Sequence, residues 1–162
     1  HEPTPPTPQV RFPGNYRQMV RRFAAQARAG EALPWVVAYR GELAGQLTIS
    51  GITWGSARTG SAGYWVDGAV AGRGVIPTAL ALAVDHCFFT VGLHRIEVNI
   101  RPENQASLRV VEKLGFRQEG IRERFLHIDG DWRDHLSFAL TADDVPGGLL
   151  LRWRASRQSA AP

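Results

Sequence analysis

Apolar positions recur along this chain in two rhythms. Between Asn15 and Ala32, Tyr16, Met19, Val20, Phe23, Ala24 and Ala27 fall on one stripe at helical spacing, and Gly30 ends it. Pro34 to Trp54 reads as two strands around a turn at Arg40-Gly41. Ser56 to Gly63, rich in glycine and serine, reads as a loop. Gly63 to Phe89 then reads as a strand, a glycine-rich turn and an apolar helix. His94 to Ile100 alternates Arg95, Glu97 and Asn99 with Ile96, Val98 and Ile100, which is a strand with a polar and an apolar face. A helix over Ala106–Leu114 follows, capped by Asn104 and stopped by Gly115. Asp129-Gly130 sits between two strand-like runs as a two-residue hairpin turn. Strand and helix alternate from Gly63 to Leu114 as a β-α-β-α unit, which predicts an α/β fold.

The two ends break this pattern. Residues 1–14 are proline-rich, and proline cannot supply a central strand. Residues 146–162 follow Pro146-Gly147-Gly148 and read as a partly ordered C-terminal tail. No internal repeat divides the 162 residues, so one domain is expected.

Composition narrows the function classes. No apolar run approaches the ~18 residues of a membrane span. A single cysteine, Cys87, leaves no disulfide framework and fits a reducing cytoplasm; its place in an apolar helix marks a small buried hydrophobe. The net charge of +4 is compatible with an anionic ligand or ribosome association. The basic residues are scattered, without the aromatic-interleaved stripe of direct nucleic-acid readout. His94, His127 and His135 have no zinc spacing, so no metal is expected.

The richest chemistry lies at the strand-turn-helix of Gly63–Phe89. A helix start carries backbone N–H groups without intrahelical partners, at the positive end of the helix dipole. Gly72 and Gly74 allow close approach of a ligand, Arg73 adds a cation, and Pro77 suits the first helical position. This is an anion site suited to phosphate or pyrophosphate. A dinucleotide turn would need glycine at Pro77, and a nucleotide P-loop would need Gly-Lys-Ser/Thr before the helix. Neither is present.

The turn Ala71-Gly72-Arg73-Gly74-Val75-Ile76 resembles the coenzyme A turn of the GCN5-related N-acetyltransferases (GNAT), although Ala71 and Ile76 depart from that family's pattern. The order Asn104, Ser107, Lys113-Leu114-Gly115-Phe116 resembles the next part of the same fold. His127–Leu140, with Ile128-Asp129-Gly130 and Trp132-Arg133-Asp134-His135, is similar to the RimJ/RimL-type branch that acetylates ribosomal-protein N-termini. The resemblance implies a mixed central β-sheet flanked by helices, with the coenzyme A turn at a strand-to-helix junction. It also implies that the chain lacks its first strand and helix, since members begin with such elements before this point.

It implies acetyl-CoA as cosubstrate and acetyl transfer to a protein N-terminal α-amine. The backbone of Ala71, Gly72, Arg73, Gly74, Val75 and Ile76 would hold the pyrophosphate. Trp65 and Val66 would pair with the pantetheine amides, with the Val66 N–H as an oxyanion donor. Asn104 and Ser107 would contact the cofactor. Many members protonate the leaving thiolate with a tyrosine where this chain has Val111, so Ser107 is the candidate proton donor. Glu97, on the polar strand face, is the candidate base, with an ion pair to an arginine as its structural alternative; His127 or His135 could act through water. Asp129, Asp131 and Asp134 could attract an ammonium group, and Tyr64 and Trp65 read as packing aromatics. Two other functions stay open: acetylation of a small-molecule amine, and an acyl-CoA-binding module without catalysis.

Overall fold

The computed structural model describes residues 13–160, with side chains from Arg17 onward. The proline-rich start falls outside the described residues, apart from Pro13 and Gly14, which open helix α1 (Pro13–Arg28). Tyr16 falls outside the described side chains; Met19, Phe23, Ala24 and Ala27 are half-buried. Strands β1 (Leu33–Tyr39) and β2 (Glu42–Thr53) form the expected hairpin, with Arg40 and Gly41 both in the left-handed region. Next come β3 (Thr59–Val66), α2 (Val75–His86), β4 (Arg95–Ile100), α3 (Gln105–Leu114), β5 (Arg117–Ile128), β6 (Asp131–Thr141) and α4 (Leu149–Ser159).

The six strands form one sheet in the order β1-β2-β3-β4-β6-β5. Every pair is antiparallel except β3–β4. Helices α2, α3 and α4 pack on one another. Their apolar faces meet the sheet in one core that includes Leu47, Ile49, Leu80, Val84, Ile96, Val111, Leu140 and Leu149. The apolar set of β4, Ile96, Val98 and Ile100, is buried, while Arg95, Glu97 and Asn99 are half-buried on the other face. Cys87 is fully buried, and burial pushes its thiol up to about 12, as suits a core hydrophobe.

Two expectations change. Part of the loop over Ser56–Gly63 is strand β3. Gly60 there is a packing necessity: a Cβ on it would come within 2.6 Å of Ile49 Cγ2. The C-terminal tail contains helix α4, with Leu149 and Trp153 buried. Its supports come from far in sequence. Trp153 Nε1 donates to Thr78 Oγ1 (3.0 Å), and Arg152 donates to the Leu114 carbonyl. Local sequence cues cannot reveal partners that only folding brings together.

The hairpin turn falls where expected. Asp129 and Gly130 take φ of 51° and 83°, and Ile128 pairs with Asp131.

Candidate functional site

The site is made by two strands that part. β3 and β4 pair in parallel only over Thr59–Ser61 and Arg95–Glu97. Beyond Ser61, β3 continues to Val66 paired with β2 alone. Its other edge, from Gly63 to Val66, faces a wedge-shaped opening between the two strands. Which backbone groups point there follows from register. Asp67 N–H donates to Ala44 C=O at 2.7 Å, and strand groups alternate in direction. The Trp65 backbone is therefore turned to β2, while Tyr64 and Val66 present theirs to the opening. Val66 N–H thus faces the opening. The Trp65 backbone is committed to the sheet, and its neighbour Tyr64 supplies the second free backbone position. The Trp65 side chain is 51% exposed, so it is not the packing aromatic it resembled.

At the end of β3 the chain turns through a short 3₁₀ segment, Gly68–Val70, capped by Asp67 Oδ1 on the Ala69 N–H (2.8 Å). Residues Ala71–Gly74 lead into α2. Gly72 and Gly74 have φ of 76° and 79°, a region that glycine enters without a steric cost. The first helical bond runs from Thr78 N–H to Gly74 C=O. The N–H groups of Val75 and Ile76 precede it, in the first turn, where no helical carbonyl is available. Pro77 occupies the third helical position rather than the first, and still lies within that first turn.

These elements border a cleft of about 360 Å³. Tyr64, Trp65 and Val66 form its strand wall; Ala71, Gly72, Gly74, Val75 and Ile76 line its turn; and Asn104 and Ser107 close it from α3. The structure therefore gathers nearly all of the candidate cofactor residues around one cavity. Arg73 is the exception. It is exposed and lines a larger cavity of about 530 Å³ between β1 and α2, beside Arg157 and His86. That larger cavity lies on the other side of the turn from Asn104 and Ser107. The smaller cleft is the better candidate because it joins free strand amides, free helix amides and side-chain hydroxyls.

Asn104 caps α3, with its Oδ1 accepting from the Ser107 N–H at 3.1 Å. Three residues at the cleft were given no site role from the sequence. Arg109 and Lys113 line the cleft four residues apart on α3, and place two cations opposite the anion turn. Their helical spacing was the available signal. The third is Tyr64, whose hydroxyl is buried and closes no hydrogen bond of normal geometry among the described residues. Burial pushes its phenol up to about 12, and the adjacent Ser107 side chain partly offsets this. Val111, where the leaving-group tyrosine would stand, is fully buried in the core.

Glu97 lies on the polar face of β4. Its two oxygens accept from Arg95 Nε (2.9 Å) and Arg122 Nη2 (2.8 Å), which is the ion-pair alternative. Arg95 also binds Glu119. His135 is 4% exposed, with Nδ1 3.1 Å from the Arg133 carbonyl oxygen. His127 packs edge-on against Trp132. The acidic trio has local tasks. Asp129 is in the turn, Asp131 Oδ1 accepts from the Trp132 N–H, and Asp134 Oδ1 accepts from the Arg124 N–H (2.7 Å) at a bulge where Arg124 has φ of 48°. No cluster of metal-ligating side chains occurs among the described residues.

The acetyltransferase (GNAT) domain family matches residues 4–117 of this chain. The chain belongs to that family. A probable N-acetyltransferase of Bacillus subtilis, YjcK, is 39% identical over 102 residues, covering 63% of this chain and 56% of the relative. The ribosomal protein uS5-alanine N-acetyltransferase of Escherichia coli is 36% identical over 107 residues, 65% of this chain and 55% of that protein. The chain thus spans just over half the length of these curated relatives. Among solved structures, RimJ of Mycobacterium smegmatis in complex with CoA-disulfide superposes with a TM-score of 0.85 at 44% identity, over 88% of this chain and 68% of that one. The six-stranded mixed sheet with its helices is the GNAT fold of this neighbour.

Proposed function

We propose that this GNAT chain forms the catalytic part of an acetyl-CoA-dependent N-acetyltransferase for protein N-terminal α-amines, with ribosomal proteins as the acceptor class. The observation that carries the reading is the parting of β3 and β4 beside the amide-rich start of α2. A strand edge with free amides suits an extended, amide-bearing pantetheine arm, and a glycine turn at a helix start suits its pyrophosphate. The E. coli relative named for uS5 alanine supports the acceptor, and the M. smegmatis RimJ in complex with CoA-disulfide supports the cofactor.

Acetyl-CoA would supply the acetyl group as a thioester. The roles of the chain's own residues follow from their positions. Backbone N–H groups of Gly72–Ile76, with Arg109 and Lys113 across the cleft, hold the diphosphate, the Ala71 N–H being already given to the Gly68 C=O at 3.3 Å. The Val66 N–H faces the opening and stabilises negative charge developing on the carbonyl oxygen. The Ser107 hydroxyl lies at the same cleft and gives a proton to the departing sulfur. Glu97, held by Arg95 and Arg122, stays a candidate base. A free α-amine loses its proton near pH 8, far more readily than lysine at ~10.4, so water can suffice.

The setting is proposed to be the cytoplasm, where ribosomal proteins are made. No helix among the described residues is long and apolar enough to cross a membrane. The test is acetyl transfer to a panel of peptides. Peptides beginning with Ala or Ser should be acetylated. The same peptides with a blocked N-terminus and an internal Lys should react far more slowly. Equal rates on both, or activity on small amines alone, would overturn the acceptor assignment.

A further inference from the structure

The Tyr64 hydroxyl is an anomaly. Buried polar groups almost always find a partner, and one that does not calls for an explanation. Tyr64 Oη is buried, has no hydrogen bond of normal geometry among the described residues, and belongs to a side chain lining the cleft of Asn104 and Ser107. Ser107 lines the same cleft, and its side chain partly offsets the effect of burial on the phenol. The Ser107 backbone N–H is already committed to Asn104 Oδ1, which fixes the serine Cα at the start of α3. What the cap leaves undetermined is the rotation of the serine hydroxyl. A hydroxyl has one donor and two acceptor sites, so a partner that donates to its oxygen leaves its proton free to point elsewhere.

We propose that Tyr64 is a positioning residue for Ser107: its phenol O–H donates to Ser107 Oγ and turns the serine proton toward the departing sulfur. This deepens the reading above and rests on Ser107 as the proton donor. The step balances as follows. The acceptor amine, having lost one proton to solvent, forms the N–C bond and the C–S bond breaks with its electron pair going to sulfur. The sulfur takes the proton from Ser107 Oγ. The serine oxygen recovers the proton that the amine nitrogen sheds as it becomes an amide, through water. Tyr64 keeps its own proton throughout, as a phenol whose ionisation is opposed by burial must. It therefore remains a donor through the neutral and mildly alkaline range in which the α-amine loses its proton. The second hydroxyl stands on β3, in the strand that also presents the Val66 N–H, so the same strand would orient both the oxyanion donor and the proton donor.

The experiment uses the whole chain, acetyl-CoA and a peptide beginning with Ala, following free thiol release with and without peptide. Tyr64→Phe keeps the ring and removes only the hydroxyl. The expected result is a kcat at least tenfold lower, a KM for acetyl-CoA within about twofold, and an unchanged or slightly higher melting temperature. Tyr64→Phe combined with Ser107→Ala should be no slower than Ser107→Ala alone, because the two act as a unit. Wild-type kcat in Tyr64→Phe overturns the proposal while leaving Ser107 in place. So do losses that multiply in the double variant. Ser107→Ala with wild-type turnover removes Ser107 as donor, and Tyr64 with it, even where Tyr64→Phe is slow. A Tyr64→Phe protein that does not fold also contradicts it, since a hydroxyl whose one role is in turnover holds no fold together. No thiol release by the wild-type chain under either condition overturns acetyl transfer itself, and this role with it.

Discussion

Asp85, near the end of α2, caps Leu149 at the start of α4. Its Oδ1 accepts from the Leu149 N–H at 2.6 Å and its Oδ2 from the Leu150 N–H at 3.0 Å. The residue in the cap position, Gly148, has no side chain with which to do this, so α2 does it across 64 residues of chain. The same carboxylate places negative charge at the positive end of the α4 dipole. Asp85→Ala should therefore lower stability by about 1–2 kcal/mol, the usual magnitude for a lost cap. Equilibrium urea unfolding measures it. A midpoint equal to wild type would mean that Leu149 and Trp153 hold α4 by burial alone.

Charge at the turn should control affinity for coenzyme A. A glutamate at Gly74 would be ambiguous, since φ there is 79° and a Cβ would lie 3.3 Å from Arg157 Nη1. Ala71 is exposed with φ −61° and ψ 148°, a backbone that any residue adopts. Ala71→Glu should weaken coenzyme A binding by about tenfold or more through repulsion of the diphosphate, with an unchanged melting temperature. Calorimetry at two salt concentrations tests both the size and its electrostatic origin, since screening should shrink the difference.

Glu97 can be assigned by one isosteric change. With Arg95 and Arg122 on its two oxygens, Glu97→Gln should remove an ion-pair partner and leave turnover on an Ala-peptide within about threefold of wild type. A fall of ~100-fold or more in kcat, with the basic limb of the pH profile lost, would instead make Glu97 the base that removes the amine proton.

The acid limit of stability should involve Asp144. The Arg117 guanidinium beside it, then the Thr141 backbone N–H, hold its carboxyl down to about 2. Its folded value lies below the ~3.9 of an unfolded aspartate, so the folded state favours the charged form. The contribution is fully present above about pH 4 and is lost as pH falls through about 2. Asp144→Asn should be less stable than wild type at pH 7, and the difference should shrink across that acid window. The effect is modest because the carboxylate is partly exposed. Thermal unfolding from pH 7 to pH 2 follows it; a difference constant with pH would exclude Asp144 as a titrating contributor.

Local sequence determined much of this protein. The alternation of His94–Ile100 specifies a two-faced strand because a strand has a side-chain period of two. Asn104 and Gly115 bound α3 because only a short polar side chain caps one end and only a residue free to take φ of 71° closes the other so readily. Asp129-Gly130 makes its turn for the same steric reason. The glycine turn at the start of α2 was legible because two glycines precede an apolar helix whose first amides nothing local can satisfy. What tertiary structure alone decided involves partners far apart in the chain. Residue 60 must be glycine because Ile49 leaves no room for a Cβ, and α4 is held by Asp85, Thr78 and Leu114, which reach it from other elements. Glu97 is held by Arg122 across the sheet, and Tyr64 and Ser107 come to line one cleft. The wedge exists because β3 follows β2 to Val66 after leaving β4 at Ser61, and hydrogen-bond pairing between strands is a property of the assembled sheet, written in no single stretch of residues.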